Sequence, residues 1–176
     1  MIELSSAAIV VALASAAAGL AAPADDEAAI RALEARFTMA FNAGDVGAMM
    51  ENYVPGDDLV VFDVVPPREH VGADAYRKAW MGFFASFEGR PKIAITELGI
   101  TVDGNLGFSH SIQRVTGTDK RGRSVDRTVR VTDGYRKVGG VWLIALEPVS
   151  VPVDLSTGTP DLASKPSSNA ATSAPE

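Results

Sequence analysis

The sequence predicts an α+β domain in which a curved antiparallel β-sheet wraps around N-terminal helices. The first observation is the order of elements: helix, helix, strand and helix come before four consecutive strands joined by short turns. Such strands pair antiparallel, and amphipathic helices need a sheet face to cover. The second is the hairpin over residues 124–153, where Gly139-Gly140 supplies a tight turn between runs rich in Val, Thr, Tyr and Trp. A cavity can form where the sheet and the helices diverge.

Three helices are predicted from the spacing of apolar side chains. The first covers residues 26–43 and ends at Gly44. Its apolar face consists of Ile30, Leu33, Phe37, Ala40 and Phe41. Asp45 can cap a second, shorter helix, which ends before Pro55-Gly56. The third covers residues 73–87, and its aromatic face consists of Tyr76, Trp80, Phe83, Phe84 and Phe87.

The strands are predicted from β-branched runs bounded by turn residues. A short strand over residues 59–65 ends at Pro66-Pro67. The later runs cover residues 92–102, 106–118 and 124–138, followed by the second arm of the hairpin. Turn signals at 103–105 and 119–123 separate them, so each strand is expected to lie beside the next.

The charge of the chain argues against a nucleic-acid-binding protein. The formal net charge is -6 and the isoelectric point is about 4.9, whereas phosphate backbones are bound by clustered Lys and Arg. The dense basic run Lys120-Arg121-Gly122-Arg123 falls between two predicted strands. We interpret it as a solvated hairpin tip in preference to a phosphate site.

Cysteine and histidine content excludes several kinds of chemistry. The 176-residue chain has no cysteine, and its only histidines are His70 and His110. Disulfides, thiolate catalysis and cysteine-based metal sites are therefore excluded, and a histidine-rich zinc site is not expected. A carboxylate-based metal site is the alternative that the composition leaves open, but no EF-hand or two-metal spacing is present. We therefore expect neither a metal nor a cofactor.

The two ends of the chain differ in composition from the middle. Residues 1–24 resemble a secretory signal peptide, because an Ala-rich apolar run ends in small residues, although no Lys or Arg precedes it. We expect export to the periplasm or secretion; a buried N-terminal helix is the alternative. The run is too short for a permanent membrane span. Residues 25–155 form the predicted domain, and the Ser/Thr/Pro/Ala-rich residues 156–176 a disordered tail.

Several local strings resemble the nuclear transport factor 2-like superfamily and its small bacterial SnoaL-like members, the group that includes ketosteroid isomerases and polyketide cyclases. The strings are Phe41-Asn42-Ala43-Gly44-Asp45, Tyr53, Val60-Val61-Phe62-Asp63 and the ending from Val141-Trp142 to Val151-Pro152. The resemblance implies a cone-shaped, cystatin-like roll whose open end holds a small apolar or carbonyl-containing ligand. It also implies a homodimer formed through the outer surface of the sheet.

The resemblance assigns a candidate base. Asp63 occupies the position of the proton-shuttling Asp of ketosteroid isomerases, whereas Phe37 replaces the Tyr that forms half of their oxyanion hole. A phenylalanine cannot donate that hydrogen bond, so the isomerase mechanism does not carry over whole. Asp126 and Asp133 lie on the strand of the second, protonated acid. The alternative role for Asp63 is to cap the turn before Pro66-Pro67.

Other candidate ligand-binding residues come from the predicted elements. Tyr53, Trp80 and Phe84 can line the cavity or belong to the core. Because side chains alternate along a strand, either His110 or the set Ser109, Ser111 and Gln113 faces inward.

The later strands carry one more candidate ligand-binding residue and two apolar positions. Arg130 can bind a substrate carboxylate or enolate, or form salt bridges with Glu97, Asp126 or Glu147. Leu146 and Pro148 replace histidines that the final strand of related sequences often carries, which predicts an apolar wall there.

Two functions follow from these residues. The first is a small-molecule-binding domain that acts as an isomerase, cyclase or dehydratase by proton transfer next to a carbonyl, with Asp63 as base. The second is a non-catalytic exported module for ligand binding or dimerisation, which the apolar residues Phe37, Leu146 and Pro148 favour.

Overall fold

The computed structural model describes residues 23–164. The helices are α1 (Pro23–Ala43), α2 (Val46–Met50) and α3 (Ala73–Ala85), and a single 3-10 turn covers Gly56–Asp58. The strands of the main sheet are β1 (Val60–Phe62), β2 (Glu69–Val71), β3 (Phe87–Asp103), β4 (Leu106–Asp119), β5 (Ser124–Val138) and β6 (Val141–Ser150). Two short strands follow, β7 (Val153–Asp154) and β8 (Thr159–Pro160).

The predicted signal peptide lies almost wholly outside the described residues, as do residues 165–176 of the predicted tail. Residues 23–24, the last two of the predicted signal peptide, are the first residues of α1. Within the described part of the chain, no helix is long and apolar enough to cross a membrane.

The predicted fold class is confirmed: a curved, open and mostly antiparallel sheet follows the N-terminal helices. The strand order is β2-β1-β6-β5-β4-β3, so β3 to β6 lie side by side in chain order. The exception to antiparallel pairing is β1, which pairs parallel with β6. Strand β2, which was not predicted, pairs with β1 through Val61 and His70.

The apolar face predicted for the first helix forms the centre of the core. All five of its predicted residues are buried, and Leu33 and Phe41 have no exposed surface. Asp45 caps α2 as predicted, since its Oδ1 accepts a hydrogen bond of 2.9 Å from the Ala48 N–H. The core therefore lies between α1 and the inner face of the sheet.

The boundary between α3 and β3 differs from the prediction. The helix ends at Ala85 and the strand already begins at Phe87; the sequence placed the helix end at residue 87 and the strand start at residue 92. Phe87 packs against Gly117, where an added Cβ would lie 2.8 Å from the ring. This close packing against β4 outweighs the turn-forming tendency of Glu88-Gly89-Arg90-Pro91.

The chain after β6 also differs from the prediction. Residues 156–164, expected to be disordered, include β8, which pairs with β7. The Thr128 N–H donates a hydrogen bond of 2.9 Å to the Leu162 carbonyl. This segment therefore returns to the sheet and lies beside β5 at Thr128, two residues before Arg130, where the pairing of β5 with β6 begins.

Candidate active site

A cavity of about 950 Å³ lies between the inner face of the sheet and the helices. Helices α1 and α3 supply one wall and strands β4, β5 and β6 the other. The aromatic lining consists of Phe37, Phe41, Tyr53, Tyr76, Trp80, Phe83 and Phe87. Pro160 and Leu162 also line the cavity, so the segment after β6 forms part of its wall. A concave apolar cavity with a few polar groups is typical of a small-molecule site.

Glu147 is buried in the lining between two tyrosines. The Tyr53 hydroxyl donates a hydrogen bond of 2.6 Å to its Oε2, and the Tyr76 hydroxyl donates one to its Oε1. Burial raises the pKa of Glu147 to about 7, against the opposing effect of the two phenol hydrogen bonds. The nearby charges of Glu34 and Asp63 contribute to this rise in the pKa.

A β-bulge in β6 brings Glu147 into the cavity. Tyr135 pairs with Ile144 whereas the preceding Gly134 pairs with Leu146, so Ala145 is an extra residue. Strict alternation from Ile144 would place Leu146 inward and Glu147 outward. The bulge reverses this, and Leu146 is exposed.

Glu147 and its two tyrosines form one polar group of side chains in the cavity. A second polar group of side chains surrounds Asp133 on β5. The Ser109 hydroxyl lies 3.4 Å from Asp133 Oδ2 and 2.7 Å from the Tyr135 hydroxyl. Tyr135 donates a hydrogen bond of 2.6 Å to Glu34 Oε1. Burial raises the pKa of Asp133 well above its usual range, and the charges of Glu147 and Glu34 raise it further. Burial also raises the pKa of Glu34.

Two polar atoms of the cavity lining have no hydrogen-bond partner. Among residues 23–164, three buried side-chain polar atoms lack one: Trp80 Nε1, Asp133 Oδ1 and Arg136 Nε. Trp80 and Asp133 belong to the lining. Because unpaired buried polar atoms are costly, such atoms in a cavity indicate where a ligand can bond.

Asp63 lies in the lining directly after β1, with its side chain 23% exposed. Its Oδ2 is 3.8 Å from His70 Nε2. Its Oδ1 accepts a hydrogen bond of 3.3 Å from the Val65 N–H. The two roles considered for Asp63 are therefore compatible, since the carboxylate both caps the turn and borders the cavity.

This geometry agrees with the comparison with known families. The sequence model of the SnoaL-like domain matches residues 30–154. The chain belongs to the SnoaL-like domain family. The match includes α1 from Ile30 onward, the whole main sheet and both polar groups of the cavity. No protein of curated function matches this sequence.

Solved structures with the same fold include three informative relatives. An NTF2-like protein of unknown function from Pseudomonas putida is 27% identical, with a TM-score of 0.72 over 84% of this chain and 100% of that one. A ketosteroid isomerase-like protein from Erwinia carotovora is 25% identical, with a TM-score of 0.60 over 70% and 93%. A Nostoc punctiforme protein of unknown function with a cystatin-like fold is 20% identical, with a TM-score of 0.61 over 73% and 92%.

The structure of this SnoaL-like domain separates the predicted site residues into two groups. Asp63, Tyr53, Trp80 and Gln113 line the cavity. Phe84 does not; its ring packs against Phe41 at a centroid distance of 5.1 Å.

His110 and Arg130 are exposed on the outer face of the sheet. The strand alternation that turns Gln113 and Val131 inward necessarily turns these two residues outward. Arg130 forms none of the salt bridges within residues 23–164. The ladder expected for it is therefore absent from the described residues.

One of the two candidates for the second acid lies in the cavity, and the final strand differs from the expected apolar wall. Of the two candidates for the second acid, Asp133 is buried in the SnoaL-like cavity, whereas Asp126 pairs with Arg114 at 2.6 Å. The wall expected to be apolar at Leu146 and Pro148 instead carries Glu147. The bulge at Ala145 causes this difference, because it turns Glu147 toward the cavity and Leu146 away from it.

Sequence reasoning missed most of the buried polar network. The sequence places Tyr76 on an apolar helix face and offers Glu147 only as an ion-pair partner of Arg130. It indicates no role for Glu34 or Tyr135. One available signal was Glu34, a charged residue next to Leu33 on the predicted apolar face of the first helix. Within the described residues, no group of three His, Asp or Glu side chains is arranged to hold a metal ion.

Proposed function

We propose that this SnoaL-like domain catalyses proton transfer at a carbon next to a carbonyl group of a small molecule, as an isomerase, cyclase or dehydratase does. The main support is the pair of buried carboxyl groups in one cavity, Glu147 and Asp133. Glu147 removes and returns the proton. Asp133 donates a hydrogen bond to the carbonyl oxygen, which gains negative charge when the proton leaves.

Glu147 suits the role of a proton carrier. Its pKa of about 7 lies near neutral pH, where both the acid and its conjugate base are populated. The phenols of Tyr53 and Tyr76 hold both carboxylate oxygens in place. A positioned base loses little entropy when the substrate reacts.

Asp133 suits the role of the hydrogen-bond donor. Burial raises its pKa well above the usual range, which favours the protonated form that can donate a hydrogen bond. Ser109 contacts Oδ2, so a proton on the unpartnered Oδ1 can point at a ligand oxygen. The Trp80 indole N–H is a second unpartnered donor in the same lining. These donors take the place of the tyrosine that Phe37 replaces.

Asp63 is the alternative base. It occupies the position implied by the resemblance to ketosteroid isomerases, and the ketosteroid isomerase-like name of the Erwinia structure supports the same reaction class. Its side chain is more exposed than that of Glu147. A comparison of Glu147→Gln with Asp63→Asn distinguishes the two assignments.

The experiment measures deuterium exchange into a panel of cyclic and aryl ketones by proton NMR in D₂O. We expect the wild-type protein to accelerate exchange at the carbon next to the carbonyl. Glu147→Gln should reduce the rate by about a hundredfold or more, the usual contribution of a general base. Asp133→Leu should reduce it by a similar factor, the usual contribution of an oxyanion donor, while Asp133→Asn retains a donor and part of the rate.

The matched control is Glu69→Gln, an exposed glutamate on β2. It should leave the exchange rate unchanged. A loss of activity in Asp63→Asn but not in Glu147→Gln would reassign the base to Asp63. Exchange no faster with wild-type protein than with buffer would contradict an enzymatic function.

A non-catalytic ligand-binding module is the second candidate. The aromatic lining and Phe37 favour it, because both provide affinity for apolar molecules without a catalytic role. In that case the ketones bind, and their signals shift in the NMR spectra, but no exchange occurs with any variant.

A further inference from the structure

The charged residues of the cavity lining are separated by sign. Four acidic side chains form one group: Glu34, Asp63, Asp133 and Glu147. These four act on one another electrostatically, since the charges of Glu34 and Asp63 both raise the pKa of Glu147. His70 lies beside Asp63 in this group. The lysine and arginine residues of the lining are elsewhere, in and after the turn between β4 and β5: Lys120, Arg121, Arg123 and Arg127. The cavity therefore has an acidic end and a basic end.

The turn that carries the basic residues has a fixed conformation. Asp119 Oδ1 accepts hydrogen bonds from the N–H groups of Arg121 (2.8 Å) and Arg123 (2.9 Å). Its Oδ2 pairs with the Arg123 guanidinium at 2.7 Å. The Lys120 N–H donates a hydrogen bond of 3.0 Å to the Ser86 carbonyl at the end of α3. These bonds hold the turn against the helix that forms the opposite wall.

Arg127 places a positive charge on an otherwise apolar wall. It lies on the inner face of β5 between Val125 and Val129, opposite Val115 on β4, and all three valines line the cavity. Lys120, Arg121 and Arg127 form no salt bridge within residues 23–164. Within the described residues, Asp119 is the one carboxylate of the lining beside these charges.

We propose that the ligand is an elongated apolar molecule with a terminal carboxylate, which binds at the basic end while the rest of the molecule reaches the acidic end. This inference rests on the proposed function, since the reacting carbonyl must meet Glu147. The reverse orientation would place the carboxylate among four acidic groups in a low-dielectric environment. Arginine can bind a carboxylate through two parallel hydrogen bonds, which favours Arg127 as the main contact.

Two basic features of the sequence lie differently from what their pattern predicts. The run from Lys120 to Arg123 is a solvent-exposed turn, as predicted, but it also borders the cavity. The arginine suited to a substrate carboxylate is Arg127 and not Arg130, which lies on the opposite face of the same strand. Arg130 is for that reason a matched control.

The test compares binding of decanoate and 1-decanol, which share an apolar chain and differ in charge, by isothermal titration calorimetry. Wild-type protein should bind decanoate more tightly. The variant Lys120→Gln/Arg121→Gln/Arg127→Gln should bind decanoate about tenfold more weakly, the combined effect expected of three exposed charge contacts, and 1-decanol equally well. Arg130→Gln should change neither affinity. The decanoate affinity should also fall with added NaCl.

The outcomes separate this inference from the proposed function. Equal affinity for the two probes, or a decanoate affinity that the triple variant leaves unchanged, would overturn the carboxylate proposal and leave the proton-transfer experiment unaffected. A loss of decanoate binding in Arg130→Gln would move the anion site to the outer face. Failure of both probes to bind would also overturn the carboxylate proposal, whereas the exchange rates of the ketones decide the proton-transfer function by themselves. A decyl phosphate that binds far more tightly than decanoate would replace the carboxylate by a phosphate.

Discussion

Glu147 is buried at a cost to folding that its two tyrosines only partly offset. Its pKa is raised from 4.5 to about 7, so the folded protein binds this proton more tightly than the unfolded chain does. A buried carboxyl of this kind is protonated in both states at low pH and favours the unfolded state as the pH rises. Catalytic groups with such shifted pKa values commonly lower the stability of the fold.

Stability should therefore decrease as the pH rises from about 4.5 to 7. The shift of Glu147 corresponds to a decrease on the order of 3 kcal/mol in the free energy of unfolding. The raised pKa values of Asp133 and Glu34 act in the same direction. Urea titrations between pH 4 and pH 8 measure this, and Glu147→Gln should remove part of the decrease.

The exposed control Glu69→Gln should keep the wild-type pH dependence. A wild-type stability that rises with pH over this interval would contradict the assignment of Glu147 as a buried acid with a raised pKa. The same result for the wild type and Glu147→Gln would indicate that Asp133 and Glu34 alone carry the effect.

At the scale of elements, one side chain joins the first helix to the edge of the sheet. Asn42 Oδ1 accepts a hydrogen bond of 2.8 Å from the Ile93 N–H, and Asn42 Nδ2 donates one of 3.1 Å to the Ile93 carbonyl. Strand β3 is an edge strand. The amide thus pairs with the free edge as a neighbouring strand would, which fixes the position of α1 over the cavity.

Asn42→Leu should lower the free energy of unfolding by about 2 kcal/mol, since two hydrogen bonds are lost and the Ile93 peptide groups are left unpaired. Thermal and urea denaturation measure the change. Asn42→Asp keeps the acceptor but not the donor, so its loss should be intermediate. If Asn42→Leu is as stable as the wild type, the amide does not hold the helix in place.

The elements show why the fold was predictable and the site was not. The apolar spacing of α1 and the turns around β4 and β5 follow local rules that the sequence displays directly. The inward position of Glu147 depends on one extra residue, Ala145, in a run that reads as a regular strand. Alternation then assigns the wrong face to every residue after it. By contrast, Asp133 could be predicted on the correct strand, because β5 has no irregularity between Arg130 and Gly134.

At the scale of the whole molecule, the outer face of the sheet carries an apolar surface. Phe108 on β4 is 52% exposed, and Leu146 on β6 is 39% exposed. Both residues pair with Gly134, which lies between them on β5. Phe62, on the neighbouring β1, is 44% exposed. Exposed apolar side chains on β4, β6 and β1 of one sheet face are typical of an interface between protein chains. We propose that two copies of this chain pair through it, as the family resemblance implies.

Sedimentation velocity should show a dimer for the wild-type protein and a monomer for Phe108→Glu, because the substitution buries a charge in the interface. Met81→Glu is the control, since Met81 is 59% exposed on α3 away from the sheet. It should remain a dimer. A monomeric wild type, or a dimeric Phe108→Glu, would contradict pairing through this face.

The segment after β6 determines where the chain can be truncated without loss of the cavity wall. The family match stops at residue 154, yet Pro160 and Leu162 close one side of the cavity. A chain ending at Asp154 should fold, because the main sheet is complete by Ser150. It should nevertheless release decanoate faster than the full chain in stopped-flow displacement. The residence time of a ligand would then depend on residues after Asp154 that a boundary drawn from sequence similarity leaves out, among them Pro160 and Leu162.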